Sequence, residues 1–274
     1  MYDFTYLRPR TLDEAAALLR DVPDAKLMAG GLSLLPVMKQ RLAKWGALVD
    51  LAEIGGLSGI AREGHDIVAG ARAKHVDVAS SALVHDEIPA LSHLAEGIGD
   101  PLVRNRGTIG GSLANADPAA DYPAAVLGLG ASVVTDRRVI SGDSFFLGLF
   151  ETALEPGEII IGVRFPIPRR AAYVKFKQPA SRFAIAGAFV AQTDRGVRVA
   201  ITGAGAHVFR IPVFERSLEA RFAPDSIAGL HPDYPPLNGD IHASADYRAH
   251  VVGEIVRRAV TACLSSSADQ TGAD

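Results

Sequence analysis

The chain has 274 residues, enough for two domains, and 48% of them are hydrophobic, enough to form buried cores. A formal net charge of −3 with 22% charged residues is ordinary for a globular protein and gives no basic surface for nucleic acid. The sequence has neither a secretory signal nor an apolar run of about 18 residues, so we expect a soluble cytoplasmic protein without a membrane span.

The first 57 residues alternate between strand and helix patterns. Thr11 and Glu14 have the capping-box spacing, in which each side chain accepts a hydrogen bond from a free N–H group at the start of a helix. A small α/β unit is predicted, with strands at residues 4–7, 26–28 and 48–51 and helices at residues 12–19 and 34–42.

The next stretch, residues 58–168, contains short strand patterns separated by helices and turns. Strands are predicted at residues 67–70, 131–135, 138–141 and 159–165, and helices at residues 76–83, 88–98 and 119–127. We expect a mixed sheet with flanking helices, distinct from the first unit.

Pro166 and Pro168 interrupt the pattern and indicate a domain boundary, because proline cannot donate a hydrogen bond to a sheet. Beyond them, strands are predicted at residues 173–177, 184–192 and 197–202, helices at 212–220 and 247–264, and a tail without regular structure at 265–274. Alternation along the last strand predicts one buried face, with Val197, Val199 and Ile201 inside and Arg198, Ala200 and Thr202 outside. The expected unit is a three-stranded antiparallel sheet with helices.

Two glycine-rich loops stand at predicted strand-to-helix junctions, Ala29-Gly30-Gly31-Leu32-Ser33 and Thr108-Ile109-Gly110-Gly111-Ser112. Glycine lets backbone N–H groups approach a ligand closely, and a helix N-terminus favours an anion. A single Gly-Gly pair is more often a simple turn, but two such loops suit a diphosphate. Neither loop has the P-loop lysine or the G-x-G-x-x-G pattern, which disfavours a kinase or a Rossmann fold. Gly203-Ala204-Gly205-Ala206 is interpreted as a turn.

An acidic segment follows the second loop. Asp117 stands before Pro118, a combination typical of a helix N-terminus, so Asp117 is predicted to cap a helix or to contact a ligand. Asp121 lies four residues later, where capping does not explain it. Asp121 is either an acceptor for a ribose or ribityl hydroxyl or a solvated surface charge.

Further motifs stand beside the loops: Leu34-Leu35-Pro36, Arg104-Asn105-Arg106, Tyr122-Pro123, Glu155-Pro156-Gly157-Glu158, Lys175-Phe176-Lys177 and Ala245-Asp246-Tyr247-Arg248. With all of these, nearly the whole chain resembles the medium, FAD-binding subunit of the molybdenum hydroxylases, the group that includes carbon monoxide dehydrogenase and xanthine dehydrogenase. The resemblance implies an α+β protein with a two-subdomain FAD-binding fold of the PCMH type at residues 1–168, divided at about residue 57. It also implies a C-terminal domain of the carbon monoxide dehydrogenase flavoprotein type at residues 169–270, which agrees with the division inferred from the residues.

The resemblance also implies roles for particular residues in FAD binding. The two loops would hold the pyrophosphate, Asp121 would bond the sugar-like part of the flavin, Ile160 would pack near the isoalloxazine, and Lys175 or Lys177 would approach it. Phe183 stands where relatives often have tyrosine, which keeps a stacking surface and loses a hydroxyl. The implied cofactor site therefore comprises Ala29, Gly30, Gly31, Leu32, Ser33, Thr108, Ile109, Gly110, Gly111, Ser112, Asp121, Ile160, Lys175, Lys177 and Phe183.

By the same resemblance, a small partner subunit carries two [2Fe-2S] clusters and a large one carries the molybdenum cofactor. This chain would pass electrons through FAD to an external acceptor, within the dimer of heterotrimers that the family forms. Cys263 is the only cysteine, so this chain cannot ligate such clusters itself. The alternatives are a standalone FAD-dependent oxidase or reductase and a non-enzymatic nucleotide-binding protein. Neither the substrate nor the acceptor, whether NAD, quinone or oxygen, follows from the sequence.

Overall fold

The computed structural model describes residues 1–268, which begin with a small parallel sheet. Its elements are β1 (Thr5–Leu7), α1 (Leu12–Asp21), β2 (Ala25–Met28), α2 (Leu34–Lys39) and β3 (Ala47–Asp50), with strand order β1-β3-β2. Thr11 caps α1 as predicted, because its hydroxyl accepts the Glu14 amide proton and the Glu14 carboxylate accepts the Arg10 amide proton. The helices pack on opposite faces of the sheet, with Ala15 of α1 among one set of buried side chains and Met38 of α2 among another.

Residues 60–166 form a five-stranded sheet of order β4-β5-β10-β6-β7, with helices and a short hairpin. The elements are β4 (Ile60–Glu63), β5 (Asp66–Gly70), α3 (His75–Ser80), α4 (Ala82–Glu87), α5 (Pro89–Glu96), α6 (Pro101–Arg104), α7 (Ile109–Asn115), α8 (Tyr122–Leu129), β6 (Ser132–Thr135), β7 (Val139–Ser141), β8 (Phe146–Gly148), β9 (Glu151–Thr152) and β10 (Ile160–Pro166). All neighbouring strands in this sheet pair antiparallel, so the predicted mixed sheet is wrong. The missed strand β4 is largely exposed and lacks the apolar alternation of a half-buried strand.

The remaining described chain forms an antiparallel sheet with two helices: β11 (Arg170–Lys177), β12 (Ala184–Thr193), β13 (Gly196–Thr202), β14 (Phe209–Arg210), α9 (Pro212–Ala220) and α10 (Ala245–Ala268). The sheet has four strands rather than the predicted three. The fourth strand, β14, has only two residues, too few to produce an alternating pattern. Of the predicted unstructured tail, residues 265–268 belong to α10 and the rest lies outside the described residues.

This C-terminal sheet is buried on both faces, which the sequence interpretation did not foresee. Helices α9 and α10 cover one face, where Val199 and Ile201 lie. Helix α8 covers the other face, where Phe189 and Ala200 join the core of the preceding unit. The prediction of one buried face is therefore wrong, since Ala200 and Thr202 on the second face are as buried as Ile201 on the first.

Several helix boundaries differ from the predictions because side chains form local turns. The Asp117 carboxylate accepts the amide proton of Ala119 at 2.8 Å, which closes a turn, and the predicted helix at residues 119–127 begins only at Tyr122. The predicted helix at residues 76–83 is divided between α3 and α4, where the hydroxyl of Ser81 caps the second helix. Asp117 is thus a turn residue rather than a helix cap.

The search for membrane-spanning helices covers residues 1–268. No helix in this range combines the length and the apolar composition needed to cross a bilayer.

Candidate functional site

The first glycine loop connects β2 to α2 at the carboxyl edge of the parallel sheet. Gly31 has a φ of +75°, a conformation that glycine adopts without strain. Within residues 1–268, the backbone N–H groups of Gly31, Leu32 and Ser33 donate to no protein acceptor, and Leu32 and Ser33 are exposed. This loop therefore presents consecutive free donors of the kind that bind phosphate oxygens.

The second loop differs, because its N–H groups are used inside the fold. Ile109 donates to the carbonyl of Ala73 at 3.0 Å, and Gly110 donates to that of Ala71 at 2.8 Å. Gly111 donates to the Thr108 hydroxyl, which caps α7. A β-carbon on the buried Gly110 would lie 2.6 Å from that of Ala71, so packing already explains this glycine. The second loop therefore offers a ligand the exposed surface at Gly111 rather than a row of free donors.

The structure brings the two glycine loops together. A β-carbon on Gly30 would lie 2.1 Å from the carbonyl oxygen of Arg106, so only glycine permits this contact between the chain segments. On the other side, a β-carbon on Gly111 would lie 4.0 Å from that of Ala29. The loops, nearly eighty residues apart in sequence, thus form one surface, as a shared diphosphate site requires.

Behind the second loop lies a buried histidine, His75, whose backbone N–H donates to the carbonyl of Gly107 at 3.0 Å. A β-carbon on Gly107 would lie 2.4 Å from Nε2 of His75, and the ring of Tyr122 lies 5.4 Å from the imidazole ring. Within the described residues, Nδ1 of His75 has no hydrogen-bond partner. Burial, assisted by the charge of Arg104, lowers the pKa of His75 to about 4, so the ring is neutral at physiological pH.

Asp121 is buried and paired, which excludes the interpretation as a solvated surface charge. Its carboxylate accepts the Tyr173 hydroxyl proton and lies 3.0 Å from Nζ of Lys175, which also donates to the carbonyl of Gly97 at 2.9 Å. The Lys175 side chain is only 8% exposed. Burial raises the pKa of Asp121 above its ordinary range, although the Lys175 ammonium opposes this shift. This ion pair joins α8 to β11, and so connects two parts of the fold.

The structure separates the two candidate lysines. Lys175 belongs to the buried pair, whereas Lys177 is exposed near the end of β11, opposite Ala184. Tyr173, which the sequence analysis missed, stands two residues before Lys175 on the same strand. Side chains two residues apart lie on one face of a strand, so this spacing was a usable signal.

Ile160 and Phe183 lie on different elements. Ile160 is buried at a β-bulge in β10, and its neighbour Ile161 accepts the Ala71 amide proton at 3.0 Å, which links this strand to the segment under the second loop. Phe183 is 50% exposed at the end of the β11–β12 turn. None of the described hydrogen bonds connects Lys177 or Phe183 to either glycine loop.

Comparison with known proteins gives consistent matches, and those to whole relatives cover more than nine tenths of the chain. Residues 2–168 match the family described as the FAD binding domain in molybdopterin dehydrogenase. The carbon monoxide dehydrogenase medium chain of Hydrogenophaga pseudoflava is 35% identical over 287 aligned positions, which cover 97% of this chain and 98% of the relative. The nicotine 6-hydroxylase medium subunit of Paenarthrobacter nicotinovorans is 33% identical, covering 93% and 95%.

A solved structure shows the same fold. The reconstituted CO dehydrogenase from Oligotropha carboxidovorans contains a chain that superposes with a TM-score of 0.88 at 32% sequence identity, covering 96% of this chain and 98% of that one.

Proposed function

The chain belongs to the family of FAD-binding domains of molybdopterin dehydrogenases, and on this premise we propose that it is the flavoprotein subunit of a molybdenum-containing hydroxylase or dehydrogenase. The observation that carries the proposal is the single surface formed by the two glycine loops, with free N–H groups on the first. Bound FAD would supply the exchange between one-electron donors such as [2Fe-2S] clusters and an external acceptor.

The residues present fit this cofactor. Gly31, Leu32 and Ser33 would donate to the pyrophosphate, and the small exposed Gly111 would let the phosphates approach the second loop. The pyrophosphate site would be formed by the residues of both loops, Ala29, Gly30, Gly31, Leu32, Ser33, Thr108, Ile109, Gly110, Gly111 and Ser112, some through direct contact and others through packing. In this assignment Gly110 serves packing rather than a direct phosphate contact, because its N–H is already engaged.

The flavin end would be bounded by Ile160, Phe183 and the Asp121–Lys175 pair. The Asp121 carboxylate has two oxygens, so it can accept a sugar hydroxyl while remaining paired with Lys175. The half-exposed ring of Phe183 provides an aromatic surface for stacking. A positive charge on Lys175 would favour the anionic reduced flavin, and the neighbouring carboxylate would moderate that effect.

The partner subunits would hold the metal centres that this chain does not. The one cysteine, Cys263, is buried, and burial raises its thiol pKa to about 12, so it is a poor cluster ligand. From the family to which the chain belongs, we place two [2Fe-2S] clusters in a small partner subunit and the molybdenum cofactor in a large one, in a cytoplasmic dimer of heterotrimers. The names of the relatives, medium chain and medium subunit, support an assembly with further chains.

Native co-purification tests this proposal. We expect the full-length chain to be yellow and to carry two further polypeptides, iron and molybdenum. If the isolated chain instead turned over a substrate without partners, it would be a standalone FAD-dependent oxidase or reductase. A chain that bound no FAD at any concentration would exclude both functions.

A further inference from the structure

The segment that follows α7 runs across the C-terminal sheet before α8 begins. It leaves α7 at Ala116, which has a φ of +46°, turns at Asp117, and reaches the buried Asp121 at the start of α8. Residues 117–121 belong to no helix or strand, so the Asp121 backbone is positioned by the local turn at Asp117 together with contacts from other elements.

Thr202, the last residue of β13, supplies such a contact. Its side chain is buried, with a residue exposure of 0%, and its Oγ1 atom lies 2.9 Å from the Pro118 carbonyl oxygen and 2.6 Å from that of Ala120. The single hydroxyl proton is shared between these two acceptors. The N–H group of Gly203 also donates to the Pro118 carbonyl, at 2.8 Å.

Thr202 and Tyr173 act on this segment from adjacent positions. A β-carbon on Gly187 of β12 would lie 2.5 Å from the Tyr173 hydroxyl and 3.0 Å from Cγ2 of Thr202. Because Gly187 has no side chain, Tyr173 and Thr202 can both pack against its backbone. Tyr173 then bonds the Asp121 carboxylate, while Thr202 bonds the backbone before it.

We propose that Thr202 is a positioning residue for the flavin, through which the C-terminal sheet sets FAD affinity. By fixing the carbonyls of Pro118 and Ala120, Thr202 holds Asp121 where it can accept a hydroxyl of the cofactor. This inference rests on the proposed FAD-binding function. It adds to the C-terminal residues already proposed at the flavin, Lys175 and Phe183, a residue of β13 that acts through the backbone before Asp121.

The test replaces only the hydroxyl, with Thr202→Val, in the full-length chain stripped of flavin and titrated with FAD. We expect the Kd for FAD to rise about tenfold, because an Asp121 that is no longer held in place loses its hydrogen bond to the cofactor. At saturating FAD, the visible circular dichroism of the bound flavin should also change, because the flavin is held in a different orientation. Thr202→Ser should restore both the Kd and the spectrum, whereas a Thr202→Val protein with wild-type values would overturn the proposal.

Thr193 offers a matched control on the same hairpin. Its hydroxyl lies 2.8 Å from the carbonyl oxygen of Gly196, at the opposite end of the strands from Thr202. Thr193→Val removes the same kind of bond without touching residues 118–121 and should leave FAD affinity unchanged. If it weakened FAD as much as Thr202→Val, the effect would be general loosening of the sheet, and the proposal would fail.

Hydrogen exchange on the wild-type chain keeps the proposal testable if Thr202→Val does not fold. FAD should slow exchange of the Gly203 amide, which bonds Pro118, more than that of the Arg195 amide, which bonds the Thr193 hydroxyl. Equal effects on both amides would contradict a role for this contact in FAD binding. A wild-type chain that takes up no FAD would instead overturn the proposed function.

Discussion

Asp121 and Lys175 form a buried ion pair in which each charge depends on the other. Two charges removed from water lose hydration, and their mutual attraction compensates only while both are present. Here the carboxylate also accepts the Tyr173 hydroxyl proton, and the ammonium also donates to Gly97, so further hydrogen bonds support the pair. Removing either partner alone would therefore leave an uncompensated buried charge, besides any effect on the proposed cofactor contact.

These two roles can be separated by substitution. Asp121→Asn leaves the Lys175 ammonium buried without its counter-charge, and should lower the free energy of unfolding by about 3 kcal/mol. The double variant Asp121→Asn with Lys175→Met should regain much of that stability, because no unpaired charge remains, yet bind FAD more weakly than the wild type. Urea unfolding and FAD titration of the same proteins measure both quantities. Equal unfolding free energies for the single and double variants would argue against a coupled pair.

His75 makes stability depend on pH. Its pKa is about 4 in the folded chain, below the ordinary 6.5, because burial disfavours the imidazolium form. Above pH 6.5 the ring is neutral in both the folded and the unfolded chain, so His75 does not lower the free energy of unfolding there. As the pH falls from 6.5 to 4, the unfolded chain binds a proton that the folded chain excludes, which costs up to about 3 kcal/mol by pH 4.

Replacing His75 with Gln should remove this part of the pH dependence. The difference in unfolding free energy between pH 7 and pH 4.5 should become smaller in His75→Gln than in the wild type, as measured by urea unfolding at each pH. His85→Gln is the matched control, because the His85 side chain is 74% exposed. An unchanged pH profile for His75→Gln would show that other groups cause the acid sensitivity.

Helix α8 is buried along its entire length, an arrangement that follows from its position between two sheets. Every residue from Tyr122 to Leu129 is buried, and the helix packs on β12 and β13 on one side and β10 on the other. Gly128 lies directly on the ring of Phe189, where a β-carbon would be 2.5 Å from Cδ1. Alanine is the better helix former, but at this position its methyl group has no room.

Substitution by alanine should therefore change the stability of the chain in opposite directions at two helical glycines. Gly128→Ala should destabilise the chain by about 1–3 kcal/mol, because overpacking outweighs the gain in helix propensity. Gly253→Ala, on α10 with no atom within 4 Å of the added methyl group, should stabilise by up to about 1 kcal/mol. Thermal unfolding of both variants measures the difference. Stabilisation by Gly128→Ala would mean that Phe189 moves aside readily.

At the level of the whole molecule, the C-terminal sheet and the FAD-binding region share one core. Nε of Arg198 in β13 donates to the carbonyl of Leu127, near the end of α8, at 2.6 Å. The same guanidinium pairs with Asp143. Phe189 and Ala200 of the sheet belong to the same cluster of buried side chains as α8. Separating the two parts would expose this apolar surface to water.

A chain that ends at residue 168 should therefore not fold independently. We expect it to aggregate or to bind a hydrophobic dye, and to retain no FAD, whereas the full chain should unfold in a single cooperative transition. Circular dichroism and calorimetry measure these properties. A monomeric, folded protein of residues 1–168 with wild-type FAD affinity would contradict both the shared core and the positioning role of Thr202.

The local pattern of the sequence was sufficient for the order of most helices and strands, for the capped start of α1 and for the two glycine loops. These features depend on residues that lie within a few positions of each other. The sequence also identified Asp121 and the strand that carries Lys175, although the family resemblance was needed to connect them with FAD. It could not choose between Lys175 and Lys177, because both are lysines on one short strand.

Tertiary structure decided the features that depend on distant neighbours. Burial of Asp121 and its pairing with Lys175 join residues 54 positions apart, and the contact of Thr202 with Pro118 spans 84 positions. The second buried face of β13 exists because α8 packs on it, so alternation along the strand predicted only half of its environment. The sequence by itself determined which segments bear backbone donors and charged groups. Only the packing of those segments determined which donors remain free and which charges are paired, because burial and pairing are properties of neighbours in space.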